Sequence, residues 1–379
     1  GDRRRQHREA AAKGGAKGTR IESLVERNIK MDQVASLDQA RHQLRQQRVA
    51  YQPTTFWSAA SEQITEELKT HGLAQFRRIP SALGYFVPNY SGAASGITPE
   101  QALELRAVLE QKHPAARKSQ QALHHFLSGT QAALSDYRVF LASQSAECLP
   151  HLHNFSESTY GAPTEQFEWD DKRFSRSALN YLLGLCFLKR HLKGDLPRVV
   201  LEIGGGFGTL GEIWSQSDVP GWQYIDVDIP PTQGVAEYYL KKVLGVDRVS
   251  GYEAISVAGP TAISDLKPAA VICSWQIEQL VGQVDLFVNF ISFQEMEPEV
   301  VRNYLCHVDR LQARWVLLRN LREGKQKKSA NHVGVETPIR SDDYLSMLTN
   351  YDLIARNVHP FGFQTVDGFH SELMLLKRR

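Results

Sequence analysis

The segment VVLEIGGGFGTLGEI, Val199 to Ile213, holds the residue types in this chain best suited to binding chemistry. From Gly206 it reads Gly-Phe-Gly-Thr-Leu-Gly, which matches the G-x-G-x-x-G spacing of dinucleotide-binding loops. From Glu202 it reads as an acid closing an apolar strand, then a glycine cluster, then a helix. In both readings glycines let the backbone turn tightly and approach a ligand, and the next helix turns its N-terminus toward it. The readings differ in charge. A pyrophosphate suits the helix N-terminus, but a carboxylate at Glu202 would repel it. S-adenosylmethionine has no phosphate, and its amino acid group and sulfonium are compatible with a nearby acid. A second run, WQYIDVDIPPT, ends in Asp226 and Asp228, at the distance where an acid can bind a ribose. An acid there serves a ribose in either cofactor; Glu202 and the DIPPT string before a helix favour S-adenosylmethionine over NAD.

These residues need a sheet to hold them, and the second half of the chain reads as one. From Pro197 onward, apolar runs alternate with helical segments. RVVLEIG, WQYIDVDI, AAVICSW, DLFVNFIS and ARWVLLRNL read as strands; TLGEIWSQS, TQGVAEYYLKKVLG and EPEVVRNYLCHVDRL read as helices. This alternation implies a parallel sheet covered on both faces. YDLIARNVHP and FHSELMLLKRR leave no room for a crossover helix between them, so they should pair antiparallel. A reversed last strand is the habit of methyltransferase sheets. The predicted fold is α/β: a Rossmann-like class I methyltransferase sheet, mostly parallel with a C-terminal antiparallel hairpin, preceded by a mainly helical N-terminal domain.

Residues 21–194 read as helical. Ile21, Leu24, Val25, Val34, Leu37 and Leu44 follow a helical apolar period, and Ser61 to His71 forms a second helix stopped by Gly72. In TPEQALELRAVLEQKHP, Thr98 is the expected N-cap, Pro99 the first helical residue and Gln101 the capping-box partner. A long helix is expected from about Ala115 to Leu141. SALNYLLGLCFLKRHLKG, from Ser177 to Gly194, is apolar on nearly every side and so should be buried. The expected organisation is a basic tail over 1–20, a helical domain over 21–194 that supplies a substrate lid and a candidate dimer interface, and an S-adenosylmethionine-binding domain over 195–379.

Composition excludes several classes. The 379 residues are 42% hydrophobic and 23% charged, as in ordinary globular proteins. A net charge of +2 gives no electrostatic reason to expect nucleic acid. The first twenty residues hold seven basic residues against two acidic ones, without aromatics. Such a tail is usually just solvated; its one candidate contact is weak, with an acidic membrane surface or polymer. Cys148, Cys186, Cys273 and Cys306 are widely spaced, which argues against a zinc site or a disulfide framework and for a reducing, cytoplasmic setting. No apolar run approaches the roughly 20 residues that span a bilayer, and the N-terminus does not read as a secretory signal.

VVLEIGGGFGTLGEI, YIDVDIPPTQGVAEYYL and DLFVNFISFQEMEPEVVRNYL, with RFSRSALNYLLGLCFL upstream, resemble the class I methyltransferases assigned as sugar O-methyltransferases in bacterial polysaccharide and glycoside gene clusters. The resemblance covers most of the chain after about Phe56. It implies transfer of a methyl group from S-adenosylmethionine to a sugar or glycoside hydroxyl, with S-adenosylhomocysteine as product. A small-molecule O- or N-methyltransferase and a non-catalytic methyltransferase-like partner subunit remain the alternatives. Gly204, Gly206 and Gly208 would line the methionine end of the cofactor, with Glu202 beneath. Asp228 would bind the ribose, and Asp226 is expected to point to the opposite face. Trp275 and Gln276, after the third strand, would flank the adenine. Asn289, Phe290 and Ile291, ending the fourth, would lie near the sulfonium. Ser177, Asn180 and Tyr181 are candidates to reach the cofactor from the preceding helix.

Removing the proton from a weakly acidic sugar hydroxyl calls for a general base. The plant phenol O-methyltransferases carry a His-Asp pair after the corresponding fourth strand; this chain has Gln294-Glu295. The candidate bases are therefore Glu295, His332 in the loop after the fifth strand, and His370 beside the last strand. A divalent metal requirement stays open. His151 and His153 form an H-x-H pair without a third ligand in pattern, and Asp226, Glu295 and Asp285 are too generic to define a site.

Overall fold

The structure, a computed structural model, describes residues 36–87, 99–112, 117–255, 259–329 and 334–379. The basic tail, the apolar period from Ile21 to Val34, Thr98 and His332 lie outside the described residues.

Seven principal strands build the central sheet: β1 Val199–Ile203, β2 Gln223–Asp228, β3 Ala269–Cys273, β4 Leu286–Phe290, β5 Trp315–Leu321, β6 Tyr351–Asn357 and β7 His370–Arg378. Their spatial order is β6-β7-β5-β4-β1-β2-β3, with the two-residue strand Val249–Ser250 beyond β3 and Phe363–Gln364 paired to β7. All neighbours from β5 to β3 are parallel, and β7 runs antiparallel between β5 and β6. One reversed strand inserted beside the last strand of a doubly wound parallel sheet is the class I methyltransferase arrangement. The sheet changes direction of build between β1 and β4, so the carboxyl ends of β1, β2 and β4 open a crevice there.

Every residue of β3 and β4 is buried, as expected for strands covered on both faces. Alternate side chains divide between two cores. Val200, Tyr224, Val271, Val288, Leu317 and Leu375 pack with the helical half of the chain; Leu201, Ile225, Ile272, Phe287, Val316 and Met374 pack under the helix Pro298–Arg310 and the crossover helix Ser341–Met347. The helix Arg176–Leu192 is the centre of the first core. Ser175 caps it by accepting the Ala178 N–H at 3.1 Å, and fourteen of its residues are buried, so it lies between the sheet and the N-terminal helices.

The helical half differs from expectation at two points. The helix expected over 115–141 is two helices, Arg117–Leu127 and Thr130–Ser143, broken at Gly129, whose φ is +78°. Gly129 adopts a left-handed turn that glycine tolerates, and the buried Arg176 guanidinium lies against it where a Cβ would sit 3.0 Å from Cζ. A short hairpin, Phe167–Trp169 with Lys172–Phe174, was also not anticipated; Asp170 and Asp171 turn it with φ of +51° and +58°. No helix among the described residues is long and apolar enough to cross a membrane.

Candidate active site

A cavity of about 690 Å³ opens at the crevice, inside the ~300–1,000 Å³ range of small-ligand sites. Its floor is the glycine loop and the ends of β1 and β2: Ile203 to Phe207, Val227 to Ile229, and Thr232. Ser177, Asn180 and Tyr181 close one side from the helix Arg176–Leu192. The outer half is aromatic, with Phe56, Trp57, Tyr85, Phe86, Phe290, Phe363 and Phe369, and it also holds Gln294, Glu295, Lys325, Gln326 and Asp367.

The floor is acidic. Asp228 faces the cavity and accepts the Gly206 N–H at 3.2 Å and the Ile229 N–H at 2.7 Å. Burial pushes its carboxyl up to about 7, against the pull of those two amides. Asp226 does not point away. It is fully buried and accepts the Gly205 N–H at 3.2 Å, because residues two apart on a strand share a face. Burial first, then the negative charges of Asp228 and Glu202, push its carboxyl well up. Glu202 is also fully buried and lies beneath the loop, outside the cavity wall. Its carboxylate accepts the hydroxyls of Tyr181 at 2.7 Å and Tyr224 at 2.6 Å, and burial raises it to about 7.

Among the three alternating glycines, Gly204 and Gly206 line the cavity, with φ of +74° and +64°. A Cβ on Gly204 would run into Ser292 Oγ. Gly208 lies outside the wall; it leads into the helix Thr209–Ser215 and packs on Leu240.

Of three residues expected at the cofactor, two hold backbone instead and one packs in the core. Asn289 is fully buried, donates to the Ile203 carbonyl at 2.9 Å and accepts the Phe293 N–H, so it ties the end of β4 to the end of β1. Gln276 accepts the Cys273 N–H at 2.9 Å and donates to the Tyr252 carbonyl at 2.6 Å. Trp275 packs against apolar core residues, and neither it nor Gln276 lines the cavity. Phe290 and Ile291 do line it. Ile291 has φ of +73°, a costly conformation for a β-branched residue. Its N–H is held by the Arg319 carbonyl at 2.7 Å, so the turn after β4 is strained where it meets the cavity.

Of the candidate bases, Glu295 lines the outer half, 8% exposed. Lys325 Nζ lies 2.6 Å from Oε1, and Trp57 Nε1 donates to Oε2 at 3.0 Å. The same Lys325 ammonium sits 3.8 Å from the Phe56 ring centroid. His370 is outside the wall, with Nδ1 2.7 Å from Glu323 Oε1. Among the described residues no group of three or more His, Cys, Asp or Glu could hold a metal ion; His151 lies against Asp218, and Asp285 pairs with Arg314.

Tyr85 and Phe86 belong to an aromatic-rich stretch whose length suggests a cover, but no sequence signal places Phe56, Trp57, Phe363 or Phe369 at the cavity, and Thr232 was not among the expected residues. Trp57, Tyr85 and Phe363 lie in segments whose pattern does not indicate which cavity they face. Thr232 carries a signal, as the last residue of the DIPPT run and the first of the helix it opens.

No protein family model matches this chain, and no curated protein matches it. Solved structures with a similar chain course include three methyltransferases. Magnesium protoporphyrin IX methyltransferase from Synechocystis PCC 6803, with bound SAM, is 15% identical over 54% of this chain and 81% of its own, with a TM-score of 0.36. A S-adenosylmethionine-dependent methyltransferase from Clostridium acetobutylicum is 11% identical over 52% and 90%, with a TM-score of 0.34. The 1,6-didemethyltoxoflavin-N1-methyltransferase of Burkholderia thailandensis is 17% identical over 53% and 78%, with a TM-score of 0.35. The fold itself rests on the strand order above.

Proposed function

We propose that this chain is a S-adenosylmethionine-dependent O-methyltransferase acting on a sugar hydroxyl. The observation that carries the reading is the acidic make-up of the cavity floor, where Asp228 is held at about 7. Asp228 faces the ligand space, Asp226 and Glu202 lie directly behind, and none of the floor residues is basic. Such a floor disfavours a pyrophosphate and suits a ligand carrying positive charge.

The residues present fit this cofactor. Asn180 and Thr232 are 3% and 2% exposed, both line the cavity, and Asn180 Oδ1 and Thr232 Oγ1 have no hydrogen-bond partner among the described residues. Buried polar atoms are rarely left so, and a ligand with an amino acid group and a ribose can supply partners. Asp228 and Thr232 would hold the ribose and adenine side; Gly204, Gly206, Asn180 and Ser177 would hold the methionine side. When bound, the cofactor supplies an electrophilic methyl group on a sulfonium.

The protein's task is then alignment and proton removal. Holding two reactants in line can supply roughly 7–11 kcal/mol of a barrier. Tyr85, Phe56 and Trp57 offer apolar faces for a sugar ring and keep water out, while Gln294, Gln326 and Asp367 can bond its hydroxyls. Glu295 is the proton acceptor in this reading. Lys325 and Trp57 fix its carboxylate, which keeps lone pairs free for an incoming hydroxyl.

Calorimetric titration with S-adenosylhomocysteine, and with NAD and NADP in parallel, tests the cofactor. Saturable binding of the homocysteine compound alone supports the reading; binding of a nicotinamide nucleotide instead overturns it. Methyl transfer from labelled S-adenosylmethionine to a panel of sugars, phenols and amines tests the acceptor. Transfer confined to phenols or amines would replace the sugar part.

A further inference from the structure

The glycine loop, Gly204 to Gly208, has a single side chain, that of Phe207. Gly204, Gly206 and Gly208 all have positive φ, from +64° to +91°. Glycines have little intrinsic preference among backbone conformations, so this run does not fix its own shape. The Asp226 and Asp228 carboxylates hold the Gly205 and Gly206 amides at 3.2 Å, and Phe207 is the one side chain of the loop itself that can add a further hold.

Phe207 is 3% exposed, and its ring is enclosed largely by the helical half of the chain. Phe76 lies 5.5 Å away between centroids, Phe86 6.1 Å, and Tyr239 meets it edge-on at 5.2 Å. The Arg77 guanidinium lies over the ring at 4.9 Å. Arg77 is 6% exposed and is anchored twice: its N–H donates to the Gly161 carbonyl at 2.9 Å, and Nη2 pairs with the fully buried Glu157 at 3.1 Å. Glu157 also accepts the hydroxyl of Ser175, the cap of the helix Arg176–Leu192, at 2.8 Å. Next to it, the Ser158 N–H donates at 2.8 Å to Glu212, on the helix that follows the glycine loop. A Cβ on Gly161 would run into the Phe76 ring, so this chain segment packs directly against the socket.

We propose that Phe207 anchors the glycine loop in a socket built by Phe76 and Arg77, so that the helical half positions the loop that receives the cofactor. Phe76 and Arg77 are then positioning residues: neither lines the cavity, and both act through Phe207. The consequence for ligand binding rests on the cofactor reading above; the anchoring of the loop does not.

The test compares two conservative core variants of the full chain. Phe76→Leu loosens the socket. Phe140→Leu removes a comparable ring from the helical half, where Phe140 packs on Tyr137 and Phe174 and makes no ring contact with Phe207. Both should lower thermal stability. Only Phe76→Leu should speed amide hydrogen exchange across 203–209, and only Phe76→Leu should weaken S-adenosylhomocysteine binding, by about tenfold as preorganisation is lost. Arg77→Lys keeps a charge for Glu157 but loses the planar guanidinium over the ring, and should speed exchange in the same segment. Unchanged exchange in Phe76→Leu, or equal changes in both core variants, overturns the proposal. Unchanged exchange in Arg77→Lys removes Arg77 from the socket. If the wild-type chain does not bind S-adenosylhomocysteine, the cofactor reading fails and the exchange comparison still decides the anchor.

Discussion

The Tyr181 hydroxyl donates to Glu202 at 2.7 Å while its ring stacks on Phe290, with centroids 5.0 Å apart and planes 11° from parallel. One side chain thus joins the helix entering the sheet, the acid under the glycine loop and the end of β4. It also explains why Glu202 does not reach the ligand space. Both oxygens of that carboxylate are taken by tyrosine hydroxyls, and Tyr181 stands in the cavity wall in its place.

Tyr181→Phe isolates the hydrogen bond from the stack. The ring and its packing stay, and a buried carboxylate loses one donor. An unsatisfied buried group of this kind costs about 1–3 kcal/mol. Urea unfolding should show that loss. An unchanged midpoint would mean that Tyr181 is not the donor Glu202 depends on.

The buried acids also set how stability varies with pH. Burial holds Glu165, Glu202 and Glu212 at about 7 in the folded protein, each against an ordinary value of 4.5. Between those values the folded chain keeps protons that the unfolded chain has released. Stability therefore falls as pH rises from about 4.5 to about 7. Asp309 and Glu323, held low by their partners, act in the opposite sense, but both are partly exposed and screened. The urea midpoint should be higher at pH 5 than at pH 8, and Glu212→Gln should flatten the slope. A midpoint that climbs with pH would refute this account.

The strands were legible in the sequence because each is a short run of apolar residues bounded by turn signals, and AAVIC and LFVNF are buried at every position. The glycine loop and Asp228 were legible because turn geometry and charge leave few other uses for that pattern. Asn289 and Gln276 misled for a physical reason. A polar residue at a strand end can bind a ligand or tie down backbone, and one sequence does not distinguish the two. The break at Gly129 did carry a signal, a glycine inside an apolar period, but the Arg176 guanidinium that packs against it comes from 47 residues later. Trp57 is the hardest case. Its partner, Glu295, is brought to it only by the folding of the whole sheet.

Cofactor binding should be linked to proton release. Asp228, near 7 when the cavity holds no cation, binds a positively charged ligand better once ionised. Such a ligand in turn pulls its carboxyl down. S-adenosylmethionine affinity should therefore rise with pH through about 7. Calorimetry in buffers of different ionisation enthalpy should detect protons leaving on binding. S-adenosylhomocysteine lacks the sulfonium and should show a smaller pH dependence. Asp228→Asn should weaken both ligands and abolish the difference between them. Equal pH profiles for the two ligands in the wild-type chain would break the proposed link between Asp228 and the cation.

Glu295 and Lys325 form the one ion pair set in the cavity wall among the described residues, with side chains 10% and 18% exposed. Removing either partner should cost stability. Lys325→Met leaves the carboxylate with only Trp57 as a donor in a nearly closed space, and Glu295→Gln leaves the ammonium on the Phe56 ring without a counter-charge. The double variant should be more stable than the two single losses predict, with a coupling of about 1–3 kcal/mol in a double-mutant cycle. The cycle also separates structure from chemistry. Glu295→Gln should leave S-adenosylhomocysteine affinity within about twofold of wild type, because Glu295 lies in the outer half of the cavity, while methyl transfer falls by about 10²–10⁴-fold with the loss of the proton acceptor. If Glu295→Gln transfers methyl groups at the wild-type rate, Glu295 serves only to anchor Lys325 and Trp57, and the base must come from another residue.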